Sequence, residues 1–171
     1  MEVLAAEETT SKELAHVEKI FNEVGTYSKE EIRDIIASVQ KAVEAEEQLE
    51  VPIKHYFSKD VYAREMTLPE GALIVGKIHK FENLNILSKG EVSVLSIDGV
   101  VRLKAPATFV GSVGAKRVIL AHSDVVWTTI HGTDEKDVDK IEAKFIAKSY
   151  DEVEEQNLIN IKQEETKCLG S

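Results

Sequence analysis

The stretch from Gly71 to Gly90, GALIVGKIHKFENLNILSKG, constrains the fold more than any other part of the chain. Its apolar residues alternate and pair as in successive short strands. Gly71, Gly76 and Gly90 fall where a backbone has to turn or another has to pass close by. Such a segment reads as the heart of a β-barrel. Downstream, EVSVLSI and VVRLKA are joined by Asp98-Gly99, the residue pair that suits a type I′ hairpin turn. PATFV, KRVILAH and DVVWTTIH add three more strands, separated by a turn at Gly111 to Gly114 and by Ser123-Asp124. Upstream, VYAREMT alternates with Tyr62, Arg64 and Met66 on one face, and VPIKHYFSKD has the character of a connector or edge strand. About eight short strands within roughly 70 residues indicate a jelly roll or a related double-sheet barrel.

Helical patterns flank this region. Residues 1 to 9 lack periodicity and are expected to be loose. Thr10 and Glu13 have the form of a capping box, followed by Leu14, Val17, Phe21 and Val24 on one face up to Gly25. Ser28 and Glu31 repeat the signal, and Ile32, Ile35, Ile36, Val39, Ala42, Val43 and Leu49 mark a longer helix ending before Pro52. The short link makes the pair a helical hairpin whose apolar stripes pack on the barrel or on each other, or else form a seam with other subunits. Past Gly132, Thr133 can cap a helix with Asp134, Glu135 and Asp137 in its first turn and Val138, Ile141 and Phe145 on one face. The expected organisation is an acidic helical arm at 1–50, a barrel at 51–132, a helix at 133–148 and a flexible acidic tail at 149–171.

Charge divides the same way: net −8 over residues 1–50, +3 over 51–132 and −5 over 133–171, for −10 in total. Acidic arms around a mildly basic centre argue against nucleic acid as a partner, which needs a basic footprint, while the central excess favours a small anionic ligand. The opening segment has acids where an export signal needs a basic region, and no run of about 18 apolar residues suggests a membrane span. Cys168 is the only cysteine, so no internal disulfide is available. No Walker loop, G-x-G-x-x-G, H-E-x-x-H, C-x-x-C or G-x-S-x-G is present.

The spacing of Gly71, Lys77, His79, Asn83 and Gly90 resembles the first motif of the cupin superfamily, the RmlC-like jelly rolls, in which two His and a Glu bind metal between two glycines. Here Lys77 replaces the first histidine and Asn83 the glutamate. Gly99 and Pro106 resemble the second motif with one extra residue between them, but Thr108 stands at its glycine and Gly111 at its histidine. Of four family ligands only His79 remains, short of the three or so that a catalytic Zn or Fe centre requires, so no metal and no cofactor is expected. The resemblance implies a mainly β fold, an RmlC-like cupin jelly-roll barrel with an N-terminal helical hairpin and a C-terminal helix. Within that superfamily, VYAREMTLPEGALIVGKIHKFENLNILSKGEVSVL, APATFVGSVGAKRV and DVVWTTIHGT, about residues 50 to 146, resemble small cupin-like proteins of tailed bacteriophages.

Lys77 and His79 share a strand face, and with Asn83 and Asn85 they form a candidate positive, hydrogen-bonding cluster at the barrel mouth. Trp127 and His131 share a face of the last strand, Trp127 as core or as a stacking surface and His131 near the rim. Lys116-Arg117 read as a solvated strand edge. His122 with Asp124, and His55 beside Tyr56, offer acid-base chemistry only if the fold brings them together. The leading expectation is a non-enzymatic, self-associating assembly or binding module, associated with a virion or the host cytoplasm and contacting other phage structural proteins. The alternatives are a binder of a small anionic metabolite, nucleotide or sugar phosphate acting on the host, and a metal-independent carbohydrate epimerase using His79.

Overall fold

The computed structural model of the chain describes residues 2–4, 19–21, 27–154 and 157. In chain order its regular elements begin with β1 (Glu2–Leu4), α1 (Lys29–Glu44), β2 (Ile53–Ser58), β3 (Val61–Leu68), β4 (Leu73–Val75), β5 (Ile78–His79) and β6 (Asn83–Lys89). They continue with β7 (Glu91–Ser96), β8 (Gly99–Lys104), β9 (Ala107–Gly111), β10 (Val118–Ala121), β11 (Val125–Gly132), α2 (Val138–Phe145) and β12 (Ile146–Ala147). The first sheet has the order β1-β4-β10-β7-β8, the second β2-β3-β11-β6-β9, and β12 pairs with β5; neighbouring strands are antiparallel.

The two sheets pack face to face through a core in which Met66, Leu87, Val125 and Trp127 of the second meet Ile74, Val92, Val94 and Ile119 of the first. A second core covers the other side of the first sheet, where Ile32, Ile36, Val39 and Val43 of α1 lie on Leu73, Val75, Leu95, Val118 and Leu120. Strands β4 and β10 are therefore buried on both faces and read as continuous apolar runs, LIV and VILA. The capping box is present as expected: the Ser28 hydroxyl accepts from Glu31 N–H, and the Glu31 carboxylate accepts from Ser28 N–H at 2.7 Å. The apolar face of the longer helix packs on the first sheet.

Several expectations need correction. The sheets do not close into a barrel: β1 and β8 remain edges of the first, β2 and β9 edges of the second, and the layers are held by side chains rather than by a continuous ladder. Residues 2–4, expected to be loose, pair with β4 as an edge strand. The longer helix stops at Glu44; within it Ala42 is exposed, and beyond it Leu49 packs on the inter-sheet core. The first half of the hairpin, residues 10–25, lies outside the described residues except for 19–21, which are helical, and Ile20 and Phe21 join the core under α1.

The β7–β8 hairpin is real, but Ser96 pairs with Gly99, so its loop is Ile97-Asp98 and only Gly99 has a positive φ, of 109°. A type I′ turn needs positive φ at both loop residues, which neither Ile97 nor Asp98 supplies. The helix expected from Thr133 begins at Val138 with Asp137 as its N-cap, because the Thr133 hydroxyl instead accepts from Glu135 N–H in a local turn at 3.2 Å. Residues 150–154, placed in the frayed tail by the sequence, are helical, and Val153 is buried against Ile78 and Ala147. The tail from 158 onward lies outside the described residues.

Candidate functional site

The inward face of the second sheet is built of cross-strand rows, each fixed by the pairing register. One row, Ile53, Met66, Trp127, Leu87 and Ala107, is apolar. The next, His55, Arg64, Thr129, Asn85 and Phe109, carries polar groups at four of five positions. The outermost pairs Phe57 with Tyr62 and Tyr62 with His131. Above these rows, between the sheets and under α2, is a cavity of about 400 Å³. Met66, Ile74, Ile119 and Trp127 line its apolar part, Arg64, Asn85, Arg117 and Thr129 its polar belt, and Tyr62, His79, His131 and the α2 residues Ile141, Glu142 and Phe145 its mouth.

The belt is held by a defined network. Asn85 Oδ1 accepts from Trp127 Nε1 and from the Thr129 hydroxyl, both at 3.1 Å, while Asn85 Nδ2 donates to Asn83 Oδ1 at 2.6 Å. These contacts fix the amide orientation. Arg117 precedes β10 of the first sheet and reaches the opposite layer, its guanidinium lying 5.9 Å from the Phe109 ring centre. A Cβ at Gly111 would collide with the Arg117 guanidinium and would sit 2.7 Å from Asn83 Oδ1 and 3.0 Å from Asn85 Nδ2. Glycine at that position is what lets the arginine and the two amides occupy one corner.

At the mouth the rings stack: His79 on His131 with centroids 5.7 Å apart, and His131 on Phe145 at 4.3 Å. Burial, then the nearby Arg117, His131 and Arg64 charges, push His79 down to about 3, and burial pushes His131 down to about 4. Both imidazoles are therefore neutral near pH 7, and the Nδ1 atom of each is buried without a hydrogen-bond partner. Burial also lowers Arg64 and Arg117 from the ordinary guanidinium value and raises the Tyr62 phenol, which shares a 2.7 Å hydrogen bond with His55 Nδ1. Among the described residues the one carboxylate lining the cavity is Glu142, and it is ion-paired with Lys77.

Of the residues singled out from sequence, Lys77, His79, Asn85, Trp127 and His131 line this cavity together. Asn83 is buried behind it as the partner of Asn85. His122 bonds to Ser93 at 2.8 Å, outside the cavity lining, and Asp124 pairs with Lys89, so they form no unit with it. His55 meets Tyr62 rather than Tyr56, which faces outward and is 48% exposed. Arg117 is not a solvated strand edge: β10 is the central strand of its sheet, and the arginine turns inward. Among the described residues no carboxylate hydrogen-bonds to His79, and no three His, Cys, Asp or Glu side chains converge as a metal site. The sequence reading missed Arg64, Arg117, Thr129 and Glu142 as cavity residues. For Arg64 the signal was present, since alternation already put it beside Tyr62 and Met66.

No family model and no curated protein matches the chain. Solved structures similar to it include cupins. An RmlC-like cupin family protein with a double-stranded β-helix fold from Methanocaldococcus jannaschii is 13% identical, with 50% of this chain and 82% of that one covered and a TM-score of 0.42. A cupin superfamily protein from Desulfitobacterium hafniense is 13% identical, with 52% and 83% covered and a TM-score of 0.44. The ectoine synthase of P. lautus is 9% identical, with 52% and 67% covered and a TM-score of 0.44.

Proposed function

We propose that the chain is a cupin-like binding module that holds a small anionic molecule between its sheets. The observation that carries this reading is the placement of two guanidinium groups, Arg64 and Arg117, in the lining of one cavity beside Asn85, Thr129 and two imidazoles. Guanidinium forks recognise carboxylate and phosphate, and their bonds to such groups strengthen out of bulk water. The neutral imidazoles add hydrogen-bonding atoms without adding charge. A thermal-shift panel of carboxylates, phosphate esters and nucleotides tests it: a ligand at 100 times its dissociation constant adds about 2.7 kcal/mol of stability. Absence of a shift with every anion overturns the reading.

A second reading, a self-associating and virion-associated module of a tailed phage working beside other phage structural proteins, draws on a different surface. On the outward face of the second sheet, Tyr56, Ala63, Ile130, Leu84 and Val110 form one cross-strand row spanning all five strands, and Tyr56, Leu84 and Val110 are exposed. A contiguous apolar row of this kind suits a protein contact. Light scattering of the purified protein and mass spectrometry of particles decide it; a strict monomer absent from particles removes this role.

A further inference from the structure

Which molecule the cavity suits follows from the hydrogen-bonding atoms that its mouth leaves for a ligand. Charge alone does not select it, since the carboxylates of Glu142 and Asp98 act on Arg64 and Arg117 from within the protein. His79 and His131 both line the cavity, and in each ring the nitrogen enclosed without a hydrogen-bond partner is Nδ1. Nε2 is not enclosed in that way and is the nitrogen each ring can present to a ligand. Both imidazoles are neutral near pH 7, so each carries a single N–H. A buried N–H left without an acceptor is rarer in proteins than an idle lone pair, which puts the proton on Nε2. Each ring therefore offers a donor, and neither offers an acceptor.

A ligand hydroxyl placed against these rings brings a proton that they cannot take, whereas a carbonyl oxygen only accepts. Neighbouring acceptors are engaged: Asn85 Oδ1 takes bonds from Trp127 and Thr129, and Glu142 is held by Lys77. Arg64 and Thr129 lie two residues from Tyr62 and His131 on the same strands. Belt and mouth are thus successive rows of one sheet face, roughly 7 Å apart. That span suits a carboxylate and a carbonyl joined through few carbon atoms.

We infer that the cavity takes a short oxo acid, its carboxylate at the arginine belt and its ketone oxygen accepting from Nε2–H of His79 and His131. This rests on the anion-binding reading and names the second functional group of the ligand. Met66, Ile74, Ile119 and Trp127 are placed to cover its carbon chain.

The test is isothermal titration of the full chain at pH 7.5 with two matched pairs, 2-oxobutyrate against 2-hydroxybutyrate and 4-oxopentanoate against 4-hydroxypentanoate, and with butyrate. All five carry one negative charge, so a difference within a pair reads the carbonyl. In at least one pair the oxo acid should bind tenfold or more tighter than its hydroxy partner and than butyrate. His131→Phe, which keeps a ring against Phe145, should weaken that oxo acid at least tenfold and erase the preference; His131→Gln, which restores a side-chain N–H, should recover most of the loss. Circular dichroism confirms that each variant is folded, and if His131→Phe does not fold, His79→Phe takes its place with the same expectation. Hydroxy acids binding as tightly as oxo acids in both pairs, or a preference indifferent to the ring substitutions, overturns the inference and leaves anion binding standing. No binding by any of the five also overturns it, and the anion-binding reading falls with it only if the phosphate esters and nucleotides of the thermal-shift panel fail as well.

Discussion

The two sheets each have five antiparallel strands and share a core, yet they are used differently. The first is covered on both faces, by the second sheet on one side and by α1 on the other, and its central strands are buried along their whole length. The second has one inward face that grades from apolar to polar and one outward face that is open to solvent. A layer buried on both sides tolerates no unpaired polar group, so stability concentrates in the first sheet. A layer with one free face can give up part of its inner face to arginines, amides and imidazoles. Of the cavity's polar lining, His55, Tyr62, Arg64, Asn85, Thr129 and His131 come from the second sheet, while Arg117 reaches in from the loop before β10 of the first.

The largest expected effect probes that division directly. Ile36→Ala, at a fully buried position under α1, should cost about 3 kcal/mol in urea denaturation by transfer and cavity effects, against about 0.5 kcal/mol for Leu84→Ala on the open face. Equal losses at the two sites would mean that the asymmetry is not energetic. Next, Asn85→Ala should cost about 2 kcal/mol, because the Trp127 indole N–H loses a buried acceptor. A change below about 0.5 kcal/mol in the same denaturation series would mean that the amide network is incidental.

The third prediction concerns pH. His79 and His131 take up protons only near pH 3 and 4 in the folded state, but an unfolded histidine does so near its ordinary value. Between these values the unfolded chain binds more protons, so stability is fully present above about pH 6.5 and falls as pH drops toward 4. By pH 5 the loss should be about 1–2 kcal/mol for each imidazole, read as a lower Tm than at pH 7.5. Replacing both with Gln should flatten the profile, and a wild-type Tm unchanged between these pH values would contradict the burial argument. The smallest effect is expected at Val110→Thr on the outward row, within about 0.5 kcal/mol in stability. Its sharper readout is sedimentation: any loss of self-association there, with stability unchanged, would assign that face to contacts between molecules.

How much of this could be read from the residues follows the same split. Alternation in β3 and β11 placed Tyr62, Arg64 and Met66, and Trp127, Thr129 and His131, on shared faces, since a strand with two different faces writes its orientation into its own period. Strands β4 and β10 lack that period because both of their faces are dry, so the inward turn of Arg117 at the edge of VILA had no local signature. The glycine spacing drew attention to Lys77, His79 and Asn83, of which the first two line the cavity and Asn83 is buried behind it. Glu142 and the β5–β12 pairing join residues more than 60 positions apart, beyond what local spacing conveys. The capping signal at Thr133 was genuine side-chain chemistry spent on a turn, with Asp137 four residues later starting the helix instead.

The helix over the mouth is moored at both ends. Before it, Thr133 N–H donates to Asp60 C=O at 3.0 Å; after it, Lys80 N–H donates to Phe145 C=O at 2.8 Å, and β12 is laced to β5. A roof tied on two sides does not swing. At the rim Lys77, just before β5, is ion-paired with Glu142 of the helix, so a side-chain pair adds a third tie to the two backbone ones.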